Sequence, residues 1–234
     1  MNVSIVGSHG LYAKYGGWDQ LVINLVEQRD NNIRYKIFNP RETEVVDCPE
    51  GVEVEQLPLS GSGFQGIIFD SLSLIKSFKM NAILMLGIKA MPVAFLVKIL
   101  NPKIKLVVNI GGIEWERPQF NIFLKIYLKL CFKLTKIISN RIIIDNKHYK
   151  KFFKLKYEDK LSIIAYGGKI DTRINQKDAL QKNRIKFKDF YLSVSRSIED
   201  NKIDELCKIF EEIEDENLVL ISNLSNSVYG KSIL

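Results

Sequence analysis

Short apolar runs recur through the first 165 residues, and stretches with helical spacing separate each run from the next. Several runs, such as KLVVNI and RIIID, are continuously apolar rather than alternating, which is typical of strands covered on both faces. Strands separated by helices of this length form βαβ units on a mainly parallel sheet. The pattern therefore predicts an α/β, Rossmann-like fold.

The predicted elements divide the chain into two domains. Strands are expected near residues 2–7, 33–38, 52–57, 82–86, 104–109, 141–145 and 161–164. Helices are expected near residues 16–29, 64–79, 88–100, 119–139 and 146–156. We predict a first domain of residues 1–165, a polar linker of 166–188, and a partial second domain of 189–234. The second domain is called partial because its single strand–helix–strand unit is too small to cover its own sheet.

Composition narrows the class of protein. Hydrophobic residues make up 46% of the chain, which is enough for a sizeable core. Three dispersed cysteines and two histidines argue against a disulfide framework or a zinc site, and favour a reducing, cytoplasmic setting. The N-terminus has no signal-peptide pattern. The most apolar stretch, residues 82–100, is interrupted by glycine, lysine and proline, which argues against a membrane span.

The net charge of +7 is concentrated in residues 121–160, which hold 11 basic and 3 acidic residues. Within the helix expected at 119–139, lysines at spacings of four, four and three share one face; they are Lys125, Lys129, Lys133 and Lys136. Apolar residues surround that lysine face. Two interpretations stay open: a helix resting on an anionic membrane, or a core helix whose lysines face water. Nucleic acid is not an expected partner, because no aromatic stacking platform or recognised motif accompanies the charge.

Four glycines follow the first predicted strand: Gly7, Gly10, Gly16 and Gly17. Glycine allows a sharp turn and a close approach of backbone to a ligand. Gly16 and Gly17 stand where the next helix begins, and a helix N-terminus offers free N–H groups to an anion such as a diphosphate. A tight turn without a ligand remains the alternative, as does a plain helix-start role for Asp19.

The string IVGSHGLYAKYGGWDQLVINL, residues 5–25, resembles the opening motif of bacterial rhamnosyltransferases of glycosyltransferase family 4, which have the two-domain GT-B fold. Further segments resemble that family in the same order; they are VVNIGGIEWERPQF, IIIDNKHYKKFF, SIIAYGG, FYLSVSRSIEDNKIDEL and LVLISNLSNSVYGKSIL. The resemblance covers almost the whole chain. It implies transfer of a sugar, possibly rhamnose, from a nucleotide-diphosphate donor to a lipid-linked or polysaccharide acceptor.

The resemblance also implies residue roles. The first domain would be the acceptor side and the second the donor side. Gly16 and Gly17 would approach the donor phosphates, while Arg196 and Lys202 would hold the diphosphate. Two cations would then stabilise the leaving group without a metal or other cofactor. The structural alternatives are a strand-end arginine paired with a nearby carboxylate, and a solvated lysine at a helix start.

The segment GGIEWER follows a predicted strand, at the edge where open α/β sheets bind ligands. Glu114 and Arg117 are candidates for orienting the acceptor hydroxyl or a sugar. Trp115 either packs against a sugar face or belongs to the core. Glu114 and Asp19 are the candidate catalytic carboxylates, although the retaining, front-side displacement that the resemblance implies needs no strong base.

The chain departs from the family pattern at several positions. Gly111 stands where the family has an aspartate, so no catalytic carboxylate is carried over to that position. Trp18 and Asp19 replace a Phe–Glu pair, His9 replaces an arginine, and Tyr12 replaces a proline.

The family also carries an E-x7-E motif later in its donor domain, and nothing after Arg196 matches that motif. We therefore expect a chain truncated in its donor domain. One hypothesis is a glycosyltransferase that a second polypeptide completes, located in the cytoplasm or at the inner face of the membrane. The other is a non-catalytic module that binds an acceptor or a membrane.

Overall fold

The computed structural model describes residues 1–13, 16–44, 47–118, 120–168, 176–183, 185–186 and 189–234. The chain divides into two compact units. The first consists of Met1–Glu116 and Phe120–Tyr166, and the second of Arg117–Gln119 and Gly167–Leu234. Residues 169–175, 184, 187 and 188 of the predicted linker lie outside the described residues.

The first unit is built on a seven-stranded sheet in which all neighbouring strands are parallel. The strands are β1 (Asn2–Val6), β2 (Arg34–Asn39), β3 (Val52–Gln56), β4 (Ala82–Leu86), β5 (Lys105–Asn109), β6 (Arg141–Ile144) and β7 (Leu161–Ile163). Their spatial order is β3-β2-β1-β4-β5-β6-β7. The predicted α/β, Rossmann-like fold with a parallel sheet is confirmed.

Four long helices cover this sheet: α1 (Gly17–Glu27), α2 (Gly63–Lys76), α3 (Met91–Leu100) and α4 (Ile122–Ile138). Adjacent strand residues belong to different apolar clusters: Ile5 and Ile37 pack with α1, whereas Val6 and Phe38 join the larger cluster that includes α2, α3 and α4. Both faces of the central strands are therefore buried, which explains why their sequences are continuously apolar.

The prediction of a helix at residues 146–156 is wrong. Two 3-10 segments, Lys147–Phe152 and Leu155–Lys160, occupy that region. Asn146 caps the first segment by accepting a hydrogen bond from the backbone N–H of His148 at 2.9 Å. The backbone is extended at Phe153 and Lys154, and the ring of Phe153 packs against that of Phe132 with centroids 5.1 Å apart, which separates the two segments.

The second unit contains α5 (Gln176–Lys182), β8 (Tyr191–Val194), α6 (Ile203–Glu212), β9 (Leu218–Ile221) and α7 (Val228–Lys231). β8 and β9 pair in parallel, and α6 connects them. Apolar side chains on both strands are more than half exposed; they include Tyr191, Leu192, Val194 and Ile221. Among the described residues, this small sheet therefore carries uncovered apolar surface.

Candidate functional site

The strand order of the first unit reverses between β1 and β4. From β1 the chain continues to β2 and β3 on one side, then crosses to β4 and proceeds outward on the other side. Parallel α/β sheets bind ligands at the carboxyl edge beside such a switch point. The loop that follows β1 touches the end of β4 there, because a Cβ on Gly7 would lie 2.0 Å from the carbonyl oxygen of Leu86. This edge is the candidate site.

The four glycines of the loop after β1 fall into two pairs. Gly7 and Gly10 have φ of +99° and +97°, and a Cβ on Gly10 would lie 2.3 Å from Oδ1 of Asn39. Both positions require glycine for the packing of the protein itself. Gly16 and Gly17 do not, since no described atom lies within 4 Å of a Cβ built on either residue. Among the described residues, these two positions at the start of α1 therefore have no side chain and no close neighbour.

Asp19 fastens the loop that these glycines belong to. It is 1% exposed. Its Oδ1 accepts a hydrogen bond from the backbone N–H of His9 at 3.0 Å, and its Oδ2 accepts one from Gly16 at 2.9 Å. These contacts correspond to the helix-start alternative, and they give Asp19 a positioning role. A catalytic role for Asp19 stays a prediction without support from its surroundings.

The sequence analysis did not single out Trp18 as a site residue. Its indole lies against the loops after β4 and β5: a Cβ on Gly87 would be 3.0 Å from Cη2, and one on Gly111 would be 2.4 Å from Cζ2. Nε1 of Trp18 donates a hydrogen bond to the hydroxyl of Tyr166 at 3.0 Å. The replacement of a family Phe–Glu pair by Trp18–Asp19, together with Gly111, was the available signal.

A second polar group lies on the α2 side of the same edge, and of its members only His9 was named from the sequence. Nε2 of His9 is 3.2 Å from the hydroxyl of Ser62, and Nζ of Lys89 is 3.2 Å from Oδ2 of Asp70. Asp70 is 1% exposed, and its contact with Lys89 lacks hydrogen-bond geometry. Burial raises the pKa of Asp70 to about 6, against the opposing pull of Lys89. Asp70 is thus a buried carboxyl at the candidate site.

Residues 111–116 of the GGIEWER segment, which belong to the first unit, continue this edge beyond β5, whereas Arg117 belongs to the second unit. Glu114 begins a 3-10 turn, Glu114–Glu116, and is partly buried, as is Arg117. Trp115 is 8% exposed, and its ring centroid lies 4.6 Å from that of Phe132 and 6.2 Å from that of Phe152. Trp115 is therefore a core residue, which is the second of the two roles expected from the sequence. Its packing on an acceptor sugar has no support in the structure, while the roles of Glu114 and Arg117 stay predictions.

The two predicted phosphate ligands of the second unit lie in the loop between β8 and α6. Arg196 is exposed two residues after β8, and Lys202 directly precedes α6 with φ of +50°. Nζ of Lys202 pairs with Glu205, which raises the pKa of Lys202. The hydroxyl of Ser197, between them, donates to the carbonyl of Asn223 at 2.9 Å and so ties this loop to the one after β9.

Helix α4 carries the four predicted membrane-surface lysines. Lys129 and Lys133 are exposed, whereas Lys125 and Lys136 are partly buried. The outward side of this helix also carries apolar residues that are at least half exposed; they are Ile122, Phe123, Ile126, Leu130 and Ile137. Both interpretations stay open: Leu128, Cys131 and Phe132 of this helix are buried in the core, and exposed apolar side chains run beside the lysines.

The described residues contain no cluster of three or more His, Cys, Asp or Glu side chains that could hold a metal ion. No helix in this part of the chain is both long and apolar enough to cross a bilayer.

The chain belongs to the family described as Domain of unknown function DUF1972, whose profile matches residues 1–169. No curated protein matches its sequence significantly.

Three solved structures illustrate the fold similarity. Sucrose-phosphate synthase from Thermosynechococcus elongatus matches 99% of this chain and 65% of its own, with a TM-score of 0.73 and 12% identity. HepE (Alr3699) from Anabaena, in complex with UDP and glucose, matches 99% of this chain and 64% of its own, with a TM-score of 0.64 and 12% identity. The UDP-GlcNAc 2-epimerase from Methanocaldococcus jannaschii matches 100% of this chain and 68% of its own, with a TM-score of 0.56 and 16% identity. The chain thus spans about two thirds of their lengths and shares their fold.

Proposed function

We propose that the chain forms the acceptor side and part of the donor side of a glycosyltransferase that uses a nucleotide-diphosphate sugar. The open start of α1, where Gly16 and Gly17 face no described atom, carries the proposal. It lies at the switch point of the sheet, and backbone N–H groups at a helix start bind phosphate well. Among proteins of similar fold, HepE was solved with UDP and glucose.

The chemical role of the second unit would be to neutralise the leaving group. Arg196 and Lys202 occupy one loop at the carboxyl end of β8, where two cations can stabilise the charge that develops on the departing diphosphate. We further propose that additional sequence, in the same polypeptide or in a second one, supplies the E-x7-E half of the donor site. The uncovered apolar residues of β8 and β9 support such an addition. Rhamnose as the sugar rests on the sequence resemblance alone.

Titration calorimetry tests the donor site directly. The purified chain is titrated with UDP, dTDP and GDP, and the measurement is repeated with Arg196→Ala. Lys208→Ala, which removes another exposed cation of the second unit, is the matched control. We expect one nucleotide to bind, and we expect Arg196→Ala to weaken binding by about tenfold or more, because a charge-assisted phosphate contact is lost. If a folded chain binds no nucleotide, the alternative holds: a non-catalytic module that binds an acceptor or a membrane.

We place this reaction at an anionic membrane surface, against which α4 would rest. Lys129 and Lys133 lie beside the exposed apolar row that contains Ile126 and Leu130. Apolar side chains can enter the interfacial region while lysine stems extend toward lipid headgroups. The excess of basic residues in 121–160 adds a long-range attraction to anionic lipid. A lipid-linked acceptor would be reached from the same surface.

Flotation with lipid vesicles separates the electrostatic attraction of the lysines from the insertion of the apolar side chains. Vesicles of phosphatidylcholine alone are compared with vesicles that also contain phosphatidylserine. Reversing Lys129 and Lys133 to Glu should weaken binding to anionic vesicles more than about tenfold, since each cation near the surface contributes about 1 kcal/mol. Ile126→Ser with Leu130→Ser should weaken binding even at high salt, where charge is screened.

Matched controls for flotation come from exposed residues elsewhere in the first unit. Lys103→Glu changes the charge outside residues 121–160, and Ile75→Ser removes an exposed apolar side chain from α2. Equal vesicle binding by all variants would leave α4 as an ordinary solvated helix and would overturn the membrane part of the proposal.

A further inference from the structure

We infer that Trp18 and Tyr166 form a subsite for a sugar ring at the carboxyl edge of the first unit. The inference deepens the proposed transferase function and rests on it for the source of the sugar. That source is either the acceptor glycan or the glycosyl group carried by the donor. The two residues come from distant parts of the sequence, and hydrogen bonds bring them together beside the start of α1.

The indole of Trp18 is held as a platform. Its edge atoms lie over Gly87, directly after β4, and over Gly111, two residues after β5. A side chain at either glycine would enter the space of the ring, the closer one to 2.4 Å. Trp18 is nevertheless only partly buried. The ring also packs against the apolar cluster around α1, and the part that stays accessible to solvent is suited to contact a ligand.

Tyr166 supplies a directed hydroxyl. Its oxygen accepts hydrogen bonds from Nε1 of Trp18 at 3.0 Å and from Nδ2 of Asn109 at 2.9 Å. The orientation of the Asn109 amide is fixed, because its Oδ1 accepts a hydrogen bond from the backbone N–H of Gly111 at 3.0 Å. A phenolic oxygen accepts two hydrogen bonds and donates one. With both acceptor positions used, Tyr166 has its O–H left as a donor, and its side chain is exposed.

An aromatic face with a neutral O–H donor beside it matches the chemistry of a pyranose. One face of such a sugar presents C–H groups that pack on an indole, and its rim presents hydroxyl oxygens that accept hydrogen bonds. Trp18 and Tyr166 carry no charge to offset a phosphate. A phosphate would instead bind at the N–H group of Gly17, directly before Trp18, since the N–H of Gly16 already donates to Asp19.

Fluorescence isolates this subsite because the chain has two tryptophans, Trp18 and Trp115. In a Trp115→Phe background, all tryptophan emission comes from Trp18. The protein is titrated with methyl glycosides of glucose, galactose and rhamnose, and with UDP-glucose and UDP. We expect at least one sugar-containing ligand to change the emission. A change with a methyl glycoside indicates an acceptor sugar, and a change with UDP-glucose but not UDP indicates the donor sugar.

Three variants test the roles separately by calorimetry with the ligand so found. Tyr166→Phe should weaken binding about fivefold through loss of one neutral hydrogen bond. Trp18→Leu should weaken it more than about tenfold, whereas Trp18→Phe keeps an aromatic face and should stay within about threefold. Tyr157→Phe, elsewhere in the first unit, is the control. Circular dichroism verifies that each variant is folded. If Tyr166→Phe unfolds, the difference in affinity between Trp18→Leu and Trp18→Phe still tests the sugar subsite.

The possible failures are distinguishable. If no sugar-containing ligand changes the Trp18 emission, or if Trp18→Leu binds as well as the parent, the sugar subsite is overturned. Nucleotide binding that depends on Arg196 would then still support the transferase. Conversely, glycoside binding at Trp18 without any nucleotide binding would support the subsite and remove the transferase proposal.

Discussion

The two glycine pairs of the β1–α1 loop lie within eleven consecutive residues, 7–17, yet glycine is present in each pair for a different physical reason. Gly7 and Gly10 adopt left-handed backbone conformations and touch neighbouring atoms so closely that no side chain fits. Gly16 and Gly17 border open space. A glycine that the fold requires and a glycine that the fold leaves unused look identical in sequence. The difference teaches that the first pair serves stability, whereas the second is available for a ligand.

The largest expected effect is at Gly7. In Gly7→Ala the new Cβ would lie 2.0 Å from the carbonyl oxygen of Leu86, a backbone atom in a strand paired on both sides. Because neither strand can move away freely, we expect a loss of more than about 3 kcal/mol in the free energy of unfolding. Urea titration followed by circular dichroism measures it. Gly16→Ala, with extended backbone and open space, is the control; equal losses at both positions would abolish the comparison.

Asp19 joins the two halves of the loop, so its substitution should have the next largest effect. Asn at this position keeps one acceptor but turns the other oxygen into an amide donor that faces an N–H group. We expect Asp19→Asn to cost about 1–3 kcal/mol in unfolding free energy. Asp47→Asn, an exposed change, should cost almost nothing in the same urea titration. A loss of sugar-transfer activity without a loss of stability would instead favour the catalytic role predicted from sequence.

Much of the first unit could be predicted from the sequence because its strands are short, apolar and bounded by clear turns. The predicted strand at 82–86 coincides with β4, and the other strands differ by one or two residues at their ends. The region 146–156 was mispredicted because the extended backbone at Phe153 accompanies a contact with Phe132, and a local pattern does not reveal contacts between separate segments. The order of the strands depends on crossovers between distant segments, and no local pattern encodes it.

The candidate site was less predictable, since contacts between distant segments decide which side chain is buried. Trp115 was a candidate ligand residue by type, but it packs in the core. Trp18 was noted only as a departure from a family pattern, yet its hydrogen bond to Tyr166 joins residues that are 148 positions apart in the sequence. Asp70 and Lys89 stand in unremarkable helical and loop sequence, and only the fold brings them together.

Asp70 can be compared with Asp19, because both carboxylates are 1% exposed but only Asp19 is hydrogen-bonded to the β1–α1 loop. Its pKa is raised from 3.8 to about 6 in the folded protein. Between those values the folded state binds more protons than the unfolded state, so the unfolding free energy should fall as pH rises from about 4 to 6. Asp70→Asn should remove this dependence. Urea titrations across that range measure it; identical slopes in both proteins would contradict the prediction.

The smallest stability effect, and the most informative, is expected for Gly17→Ala. Gly17 is exposed in the first turn of α1, and a Cβ there meets no described atom. Alanine favours a helix over glycine, so the unfolding free energy should stay unchanged or rise by up to about 1 kcal/mol. The methyl group would nevertheless stand between a phosphate and the backbone N–H groups, weakening nucleotide binding about tenfold or more.

Calorimetry and urea titration on the same Gly17→Ala preparation give both quantities. A gain in stability together with a loss of nucleotide affinity would show that this glycine is kept for a ligand, because the fold itself is better without it. Unchanged affinity would mean that the start of α1 is an ordinary turn. Gly16 and Gly17 would then differ from Gly7 and Gly10 only in having fewer neighbours, and the donor-phosphate role of the loop would be lost.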